Sequence, residues 1–333
     1  MKILITGVAG FLGSHLADRF ISLGHTVIGV DNMIGGDISN VPEEVELYTI
    51  DCCDLESMKY AMTGVDLVVH AAATAHEGLS VFSPSFITRN IYEASVSTIS
   101  AAISSGVNRF IFCTSMARYG VGNPPFRETH PTAPIDPYGI AKVAAEETLK
   151  ILANVHGMEY NIVVPHNIIG PKQKYDDPYR NVLSIMLNRS LAGKPIYIYG
   201  DGEQMRCFSY VDDCVDCIER VCFDPAIQEQ VINIGPDRGE VTINQLSAMV
   251  LNETGSNIEP IHIDPRPQEV KYAYCSSDKA RLLLGYEETI NLQSAITKTA
   301  DWIRKKGIRE FSYNYPLEII NDKTPKTWVE RKM

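Results

Sequence analysis

The first half of the chain alternates short, wholly apolar runs with segments of helical periodicity. "KILIT" (2–6), "TVIGV" (26–30), "VELYTI" (45–50), "DLVVH" (66–70), "RFIFCT" (109–114) and "YNIVVP" (160–165) are all of strand length. Segments such as 10–23 and 84–105 lie between them, with apolar residues recurring every three or four positions. Strands apolar on both faces and separated by helices imply a parallel sheet covered on each side. We expect a doubly wound α/β domain of Rossmann type over 1–165.

The composition changes after Asn167, where "GPKQKYDDPYRN" is polar and rich in turn residues. Helices are expected near 179–192, from Val211, and at 243–253, 278–284 and 292–307, with a short strand in "PIYIYG". "QVINIG" (230–235) again resembles a core strand. A segment near 208–236 is therefore expected to return to the first sheet, leaving 166–312 as a smaller, interleaved substrate domain. The tail 313–333 has no clear periodicity and no assignable role.

A formal net charge of −11 argues against nucleic-acid or anionic-membrane partners, which require a basic face. No run approaches the ~18 apolar residues of a membrane span. Glycines interrupt the N-terminal apolar run where a signal peptide would continue, so a cytoplasmic location is expected. Eight cysteines are scattered along the chain. Cys214, Cys217 and Cys222 fit one apolar helix face, and with no complementary histidine spacing we expect no metal site.

"ITGVAGFLGSHLADRF" places Gly7, Gly10 and Gly13 between the first strand and the first helix, which Phe11 and Leu12 open. That context makes the triplet a dinucleotide signature, with pyrophosphate received at the helix N-terminus. Asp31 ends the second strand 18 residues after Gly13, where an acid would hold an adenosine ribose diol. No lysine or arginine lies between Phe20 and Met58, so a 2′-phosphate would meet Asp31 without a local cation, and NAD is favoured over NADP. Asp51, after the third strand, is a candidate partner for the adenine amine.

In "PIDPYGIAK", Pro137 suits a first helical turn, and Tyr138 and Lys142 then share one face. With sixteen tyrosines in the chain such a pair arises by chance, so its setting decides. Beside a dinucleotide site the phenol suits a general base, since a neighbouring ammonium and a cationic nicotinamide both favour phenolate. "FCTSMARYG" adds hydroxyls at Thr114 and Ser115 where the fifth strand ends.

With these elements in order, the chain resembles the nucleotide-sugar epimerase/dehydratase family of extended short-chain dehydrogenases/reductases from Met1 to about Lys305. The resemblance rests on "TGVAGFLG", "VDN", "DCCDL", "HAAA", "SMARYG", "PYGIAK", "PHNIIGP", "IYGDGEQMRCFSYVDD" and "RPQEV". It implies Tyr138 as base, Lys142 as its activator and ribose anchor, and Ser115 as the substrate-hydroxyl partner. It runs Ala71, Ala72 and Ala73 along the cofactor and adds Asn32, Cys52, Asn90 and Pro165 to the cofactor contacts. Asn167, Arg206 and Arg266 would hold the nucleotide diphosphate, with Asn181, Val182, Tyr197 and Phe208 around the nucleoside. A homodimer is implied, paired through helices 84–105 and 138–156; Ile87, Ile91, Ala94 and Ala101 of the first fit close helix packing and equally packing on the sheet.

The family's shared opening step is oxidation at the sugar C4 by NAD. Its dehydratases carry Asp-Glu directly after the hydroxyl residue, and a decarboxylase branch has a glutamate there. This chain has Met116 and Ala117, which implies 4-epimerisation of a UDP-glucose, UDP-N-acetylglucosamine or UDP-glucuronate type substrate. The alternatives are a dehydratase using Glu77 or another acid and a non-catalytic NAD-binding protein. Five residues depart from the pattern or stand open. Arg118 replaces a small aliphatic residue, His76 and Glu77 are expected as a solvated loop pair, and Lys172 and Lys174 are expected to be exposed or to face a C6 carboxylate.

Overall fold

The computed structural model describes residues 1–333. One sheet holds β1 (Lys2–Thr6), β2 (Thr26–Val30), β3 (Glu46–Tyr48), β4 (Leu67–His70), β5 (Arg109–Cys113), β6 (Glu159–Pro165) and β7 (Val231–Ile234). The spatial order is β7-β6-β5-β4-β1-β2-β3, with every neighbouring pair parallel. β7 is the expected returning strand, and it closes the sheet against β6.

The apolar runs are explained by the two cores. Ile3 and Ile5 of β1 belong to the larger core and Leu4 to the other; Leu67 and Val69 oppose Val68 on β4 in the same way. All of these are fully buried, so truncating any one to alanine is a cavity mutation costing about 2–5 kcal/mol. The larger core receives α1 (Phe11–Ser22) and the buried cysteine face of Val211–Phe223, which includes Cys214, Cys217 and Cys222. The other core receives α2 (Leu55–Ala61), α3 (Ala94–Ser104) and α4 (Pro137–His156).

The expected continuous helix over 84–105 is broken. A helix Pro84–Thr88 and α3 are joined by a π turn over Arg89–Glu93. Asn90 Nδ2 donates to the Phe86 carbonyl at 2.8 Å, and the Ser95 hydroxyl to that of Ile91, and these side-chain bonds to carbonyls one turn back accompany the widened turn. Ile87, Ile91, Ala94 and Ala101, which fitted either a dimer face or packing on the sheet, are buried inside the chain. α4 follows its sequence more closely, with Asp136 capping the Gly139 N–H at 2.8 Å, Pro137 in the first turn and Gly157 ending the helix in a left-handed conformation.

Beyond β6 the chain forms small sheets and the helices α5 (Val182–Leu191), α6 (Val211–Phe223), α7 (Ile243–Thr254), α8 (Asp278–Leu284) and α9 (Leu292–Lys306). Tyr197–Tyr199 pairs with Ile261–Ile263, and Met205–Arg206 lies between Val241–Thr242 and Tyr272–Ala273. α5 starts at Val182 rather than near 179, because Asn181 adopts a left-handed backbone at φ 69°. No helix is long and apolar enough to cross a membrane.

Because the sheet is parallel, the loops after β1, β2, β4, β5 and β6 open on one edge. The strand order reverses between β1 and β4, and the crevice outside that point is where ligands bind in such sheets.

Candidate active site

A cavity of about 480 Å³ opens along that edge, and every residue singled out above for cofactor or substrate lines it. At its floor the glycine loop is fixed by close approach. Gly7 sits at φ 72°, and a Cβ there would lie 2.8 Å from Ala72 Cα. A Cβ on Gly13 would lie 2.1 Å from the Gly7 carbonyl oxygen, so α1 can meet β1 this closely only without one. No side chain caps α1, which leaves its first N–H groups facing the cavity. Asp31, buried, accepts the N–H groups of Ala9 (3.0 Å) and Met33 (2.8 Å), and burial holds its carboxyl above the usual range. These residues fit NAD: Phe11 and Leu12 amides for the pyrophosphate, and Asp31 for the ribose diol. Cations do approach the following loop from distant sequence. Arg309 pairs with Asp37 at 2.9 Å, while Lys172 reaches Asp18 and the Asn40 carbonyl. Asp51 faces the cavity, with its carboxylate already shared between Arg89 (3.0 Å) and the Cys53 N–H.

Ala71–Ala73 are set beside this loop by a buried relay. The Ala72 N–H donates to the Thr6 hydroxyl (3.2 Å), which lies 2.8 Å from His70 Nδ1, and His70 Nε2 lies 3.0 Å from the Ser95 hydroxyl. Burial lowers His70 to about 3, so it stays neutral and serves this network rather than proton transfer.

Tyr138 and Lys142 are buried side by side on α4. Lys142 Nζ donates to the Cys113 carbonyl at 2.8 Å and sits 4.9 Å over the Phe112 ring. In the ligand-free pocket burial works against the phenolate. Burial pushes the Tyr138 phenol above its ordinary value, Glu77 and Asp136 add to that, and the Ser115 hydroxyl and Arg180 only partly oppose it. Without ligand charge the pocket keeps Tyr138 protonated. Ser115 lines the cavity with its oxygen accepting the Ala117 N–H at 3.2 Å, which leaves its proton to donate towards Tyr138 or a substrate oxygen. The Thr114 hydroxyl is spent on buried Glu146, which separates the two hydroxyl candidates.

Burial also lowers Lys142 from 10.5 to about 8. In the unfolded chain the ammonium keeps its proton to higher pH, so its ionised burial opposes folding fully below pH 8. That opposition fades as pH rises towards 10.5. Lys142→Met in NAD-free protein is therefore expected to gain up to about 3 kcal/mol at pH 7 and nothing near pH 10.5. Denaturant titrations at the two pH values check this. A variant destabilised at pH 7 would mean the bond to Cys113 outweighs the burial.

His76 and Glu77 are not a solvated pair. His76 Nε2 lies 2.7 Å from Asp177 Oδ2, with both side chains almost wholly buried. Burial tends to raise Asp177, but His76 and the Tyr179 N–H outweigh it and hold the carboxyl below its usual range. Glu77 is exposed only in the sense that it opens into the cavity, since protein surrounds it at longer range. Burial and Asp136 hold its carboxyl above the usual range against the pull of Arg206, Arg180 and Arg266. Arg118 is buried and bridges buried Glu146 at 2.9 Å, so removing either partner would strand a buried charge.

Arg206 donates only to carbonyls, those of Val270 and Met205 at 2.8 Å. Arg266 is paired with Glu269 at 2.9 Å and lies over Tyr199. Asn167 donates to the Cys207 carbonyl, while Asn181 is bonded to Gln173, Lys174 and Arg180 within its own loop. Lys174 is engaged by Asp176 and Lys172 by Asp18, so neither offers a free ammonium. The residue that sequence reasoning missed is Arg180. Its guanidinium lines the cavity, donates through Nε to Asn181 at 3.0 Å and has no carboxylate partner. It directly precedes Asn181 in "DDPYRN", which was the signal available. Tyr315 and Met333 of the tail also line the cavity, and nothing in the sequence pointed to them.

Residues 3–235 match the NAD dependent epimerase/dehydratase family. A putative UDP-glucose 4-epimerase of Methanocaldococcus jannaschii is 31% identical over 310 residues, covering 92% of this chain and 99% of that protein. A UDP-N-acetyl-alpha-D-glucosaminuronate decarboxylase of Bacillus cytotoxicus is 32% identical, covering 96% and 99%. The crystal structure of UDP-glucose 4-epimerase with UDP-glucose from Thermotoga maritima superposes with a TM-score of 0.88 at 33% identity, covering 92% of this chain and 99% of that one.

Proposed function

The chain belongs to the NAD-dependent epimerase/dehydratase family, and from that premise we propose that it is a nucleotide-sugar 4-epimerase acting through a transient 4-keto sugar. Bound NAD supplies the acceptor, and then the donor, of a hydride at the sugar C4. Tyr138 takes and returns the C4 hydroxyl proton, with Ser115 donating to the same oxygen. The cationic nicotinamide ring of oxidised NAD would offset the burial that otherwise keeps Tyr138 protonated. Lys142, held by Cys113, anchors the nicotinamide ribose. Arg206 and Arg180 carry positive charge unpaired with any carboxylate, which suits an anionic substrate in a protein of net charge −11.

The observation that carries this reading is the pair Met116 and Ala117 directly after Ser115, neither of which can move a proton. The keto sugar then has no acid at that position for elimination, and reduction from its other face is the simplest outcome. A second reading rests on Glu77, a carboxyl held above its usual range and facing the cavity. As an acid/base it would support elimination or exchange at C5.

Incubation of wild-type and Glu77→Gln protein with UDP-glucose, UDP-N-acetylglucosamine and UDP-glucuronate separates the two. Retained turnover in Glu77→Gln, within about tenfold, supports epimerisation; a loss of about 10²-fold or more assigns the chemistry to Glu77. The charge of Arg180 is felt at Tyr138 and Lys142, so a C6 carboxylate would be favoured. UDP-glucuronate is expected to show the lowest KM, and equal KM values for all three sugars would remove that preference.

We further infer the division into an NAD-binding part and a smaller substrate part, and a homodimer. Ile140, Ile151 and Val155 form an exposed stripe on α4 that nothing in the chain covers. Ile151→Glu is expected to yield a monomer in light scattering, and a monomeric wild type would exclude the pairing.

A further inference from the structure

The C-terminal segment, unassigned from sequence, runs across the open side of the cavity. The loops after β4 and β2 flank the glycine loop after β1, because β1 lies between those strands. Tyr315 touches both flanks. Its hydroxyl donates to the Ile34 carbonyl at 3.4 Å, after β2, and its ring centroid is 4.6 Å from that of His76, after β4. The chain at Tyr315 therefore bridges the groove over the glycine loop.

Contacts hold the segment on either side of that bridge. Arg309 pairs with Asp37, and the Ser312 N–H donates to the Asp176 carbonyl at 2.8 Å. The Pro316 carbonyl accepts the Ser83 hydroxyl, and the Glu318 carboxylate accepts the N–H groups of Ser85 (2.9 Å) and Phe86 (2.7 Å). Further on, buried Trp328 packs edge-on against Phe82 and Tyr179, at 5.9 and 5.1 Å between centroids. A Cβ added at Gly78 would meet its ring at 3.6 Å. The Thr327 and Tyr199 hydroxyls are 2.6 Å apart. Met333 lines the cavity, and its N–H donates to the Tyr313 hydroxyl at 2.9 Å.

We propose that residues 308–333 form a strap that completes the outer wall of the NAD and nucleotide-sugar site and must lift before either nucleotide enters or leaves. This rests on reading the cavity as that site. The strap is anchored to the loops that it bridges and covers their shared groove. Its consequence is that nucleotide exchange is limited by strap opening.

The test uses purified holoenzyme and follows replacement of bound NAD by isotopically labelled NAD. Trp328→Ala removes the largest anchor and is expected to speed exchange by at least about tenfold. The pair Ser83→Cys with Pro316→Cys, oxidised, should slow exchange by a similar factor, and a reductant should restore it. If Trp328→Ala does not fold, the reversible cross-link decides alone. Exchange at the wild-type rate in the cross-linked protein, verified by mass, would overturn the strap. Exchange is read without turnover, so failure to epimerise would overturn the functional reading and leave this result standing.

Discussion

Tyr138→Phe is expected to lower turnover by about 10²–10⁴-fold while bound NAD remains at the wild-type level. The substitution removes one oxygen from a residue 4% exposed, so neither the packing of α4 nor the glycine loop has reason to change. It leaves Ser115 and Lys142 in place, but neither can accept the sugar proton. Ser115 has no base behind it, and Lys142 is committed to the Cys113 carbonyl. The readouts are the NMR rate of sugar conversion and the NAD released on denaturation. Turnover within tenfold of wild type would show that another group takes the proton, and Glu77 is the group facing the same space.

Gly13→Ala is expected to abolish NAD binding and to lower Tm by several degrees. The added Cβ would lie 2.1 Å from the Gly7 carbonyl oxygen and 2.7 Å from its carbon, with both contacts on backbone that cannot rotate away. Relief requires α1 to withdraw from β1, which removes its first amides from the pyrophosphate position. Gly10→Ala supplies the internal comparison, since its Cβ would come no closer than 3.0 Å to the same oxygen. Calorimetry and NAD content should rank Gly13→Ala well below Gly10→Ala. Equal behaviour of the two would mean that close approach of helix and strand is not what the glycines secure.

What could be read from sequence was what local periodicity controls. Ile3, Leu4 and Ile5 are all apolar because the strand faces a core on each side, and that pattern reveals a covered parallel sheet. Tyr138 and Lys142 are legible because one helix sets their relation, and Asp31 because it ends a strand next to the glycine loop. Contacts closed over long sequence distances were not legible. His76 and Asp177 are 101 positions apart, and only the folded chain buries them together, so a loop pair expected in solvent became part of the cavity wall. The same holds for Arg309 at Asp37 and for Tyr315 at Ile34 and His76. The charge partners were not legible either: Arg266 lines the cavity paired with Glu269, whereas Arg180, not considered, has no carboxylate partner. The ionisation of Tyr138 depends on burial and on Glu77 and Asp136, which residue spacing does not express.

The central claim, that the keto sugar is reduced again without chemistry at a neighbouring carbon, is tested most directly in heavy water. UDP-glucose, UDP-N-acetylglucosamine and UDP-glucuronate are each incubated with the protein, and the products are read by NMR and mass spectrometry. The account predicts a 4-epimer of unchanged mass with no deuterium at C5 from at least one of them. Loss of water or carbon dioxide, or deuterium at C5, would contradict it and transfer the chemistry to Glu77.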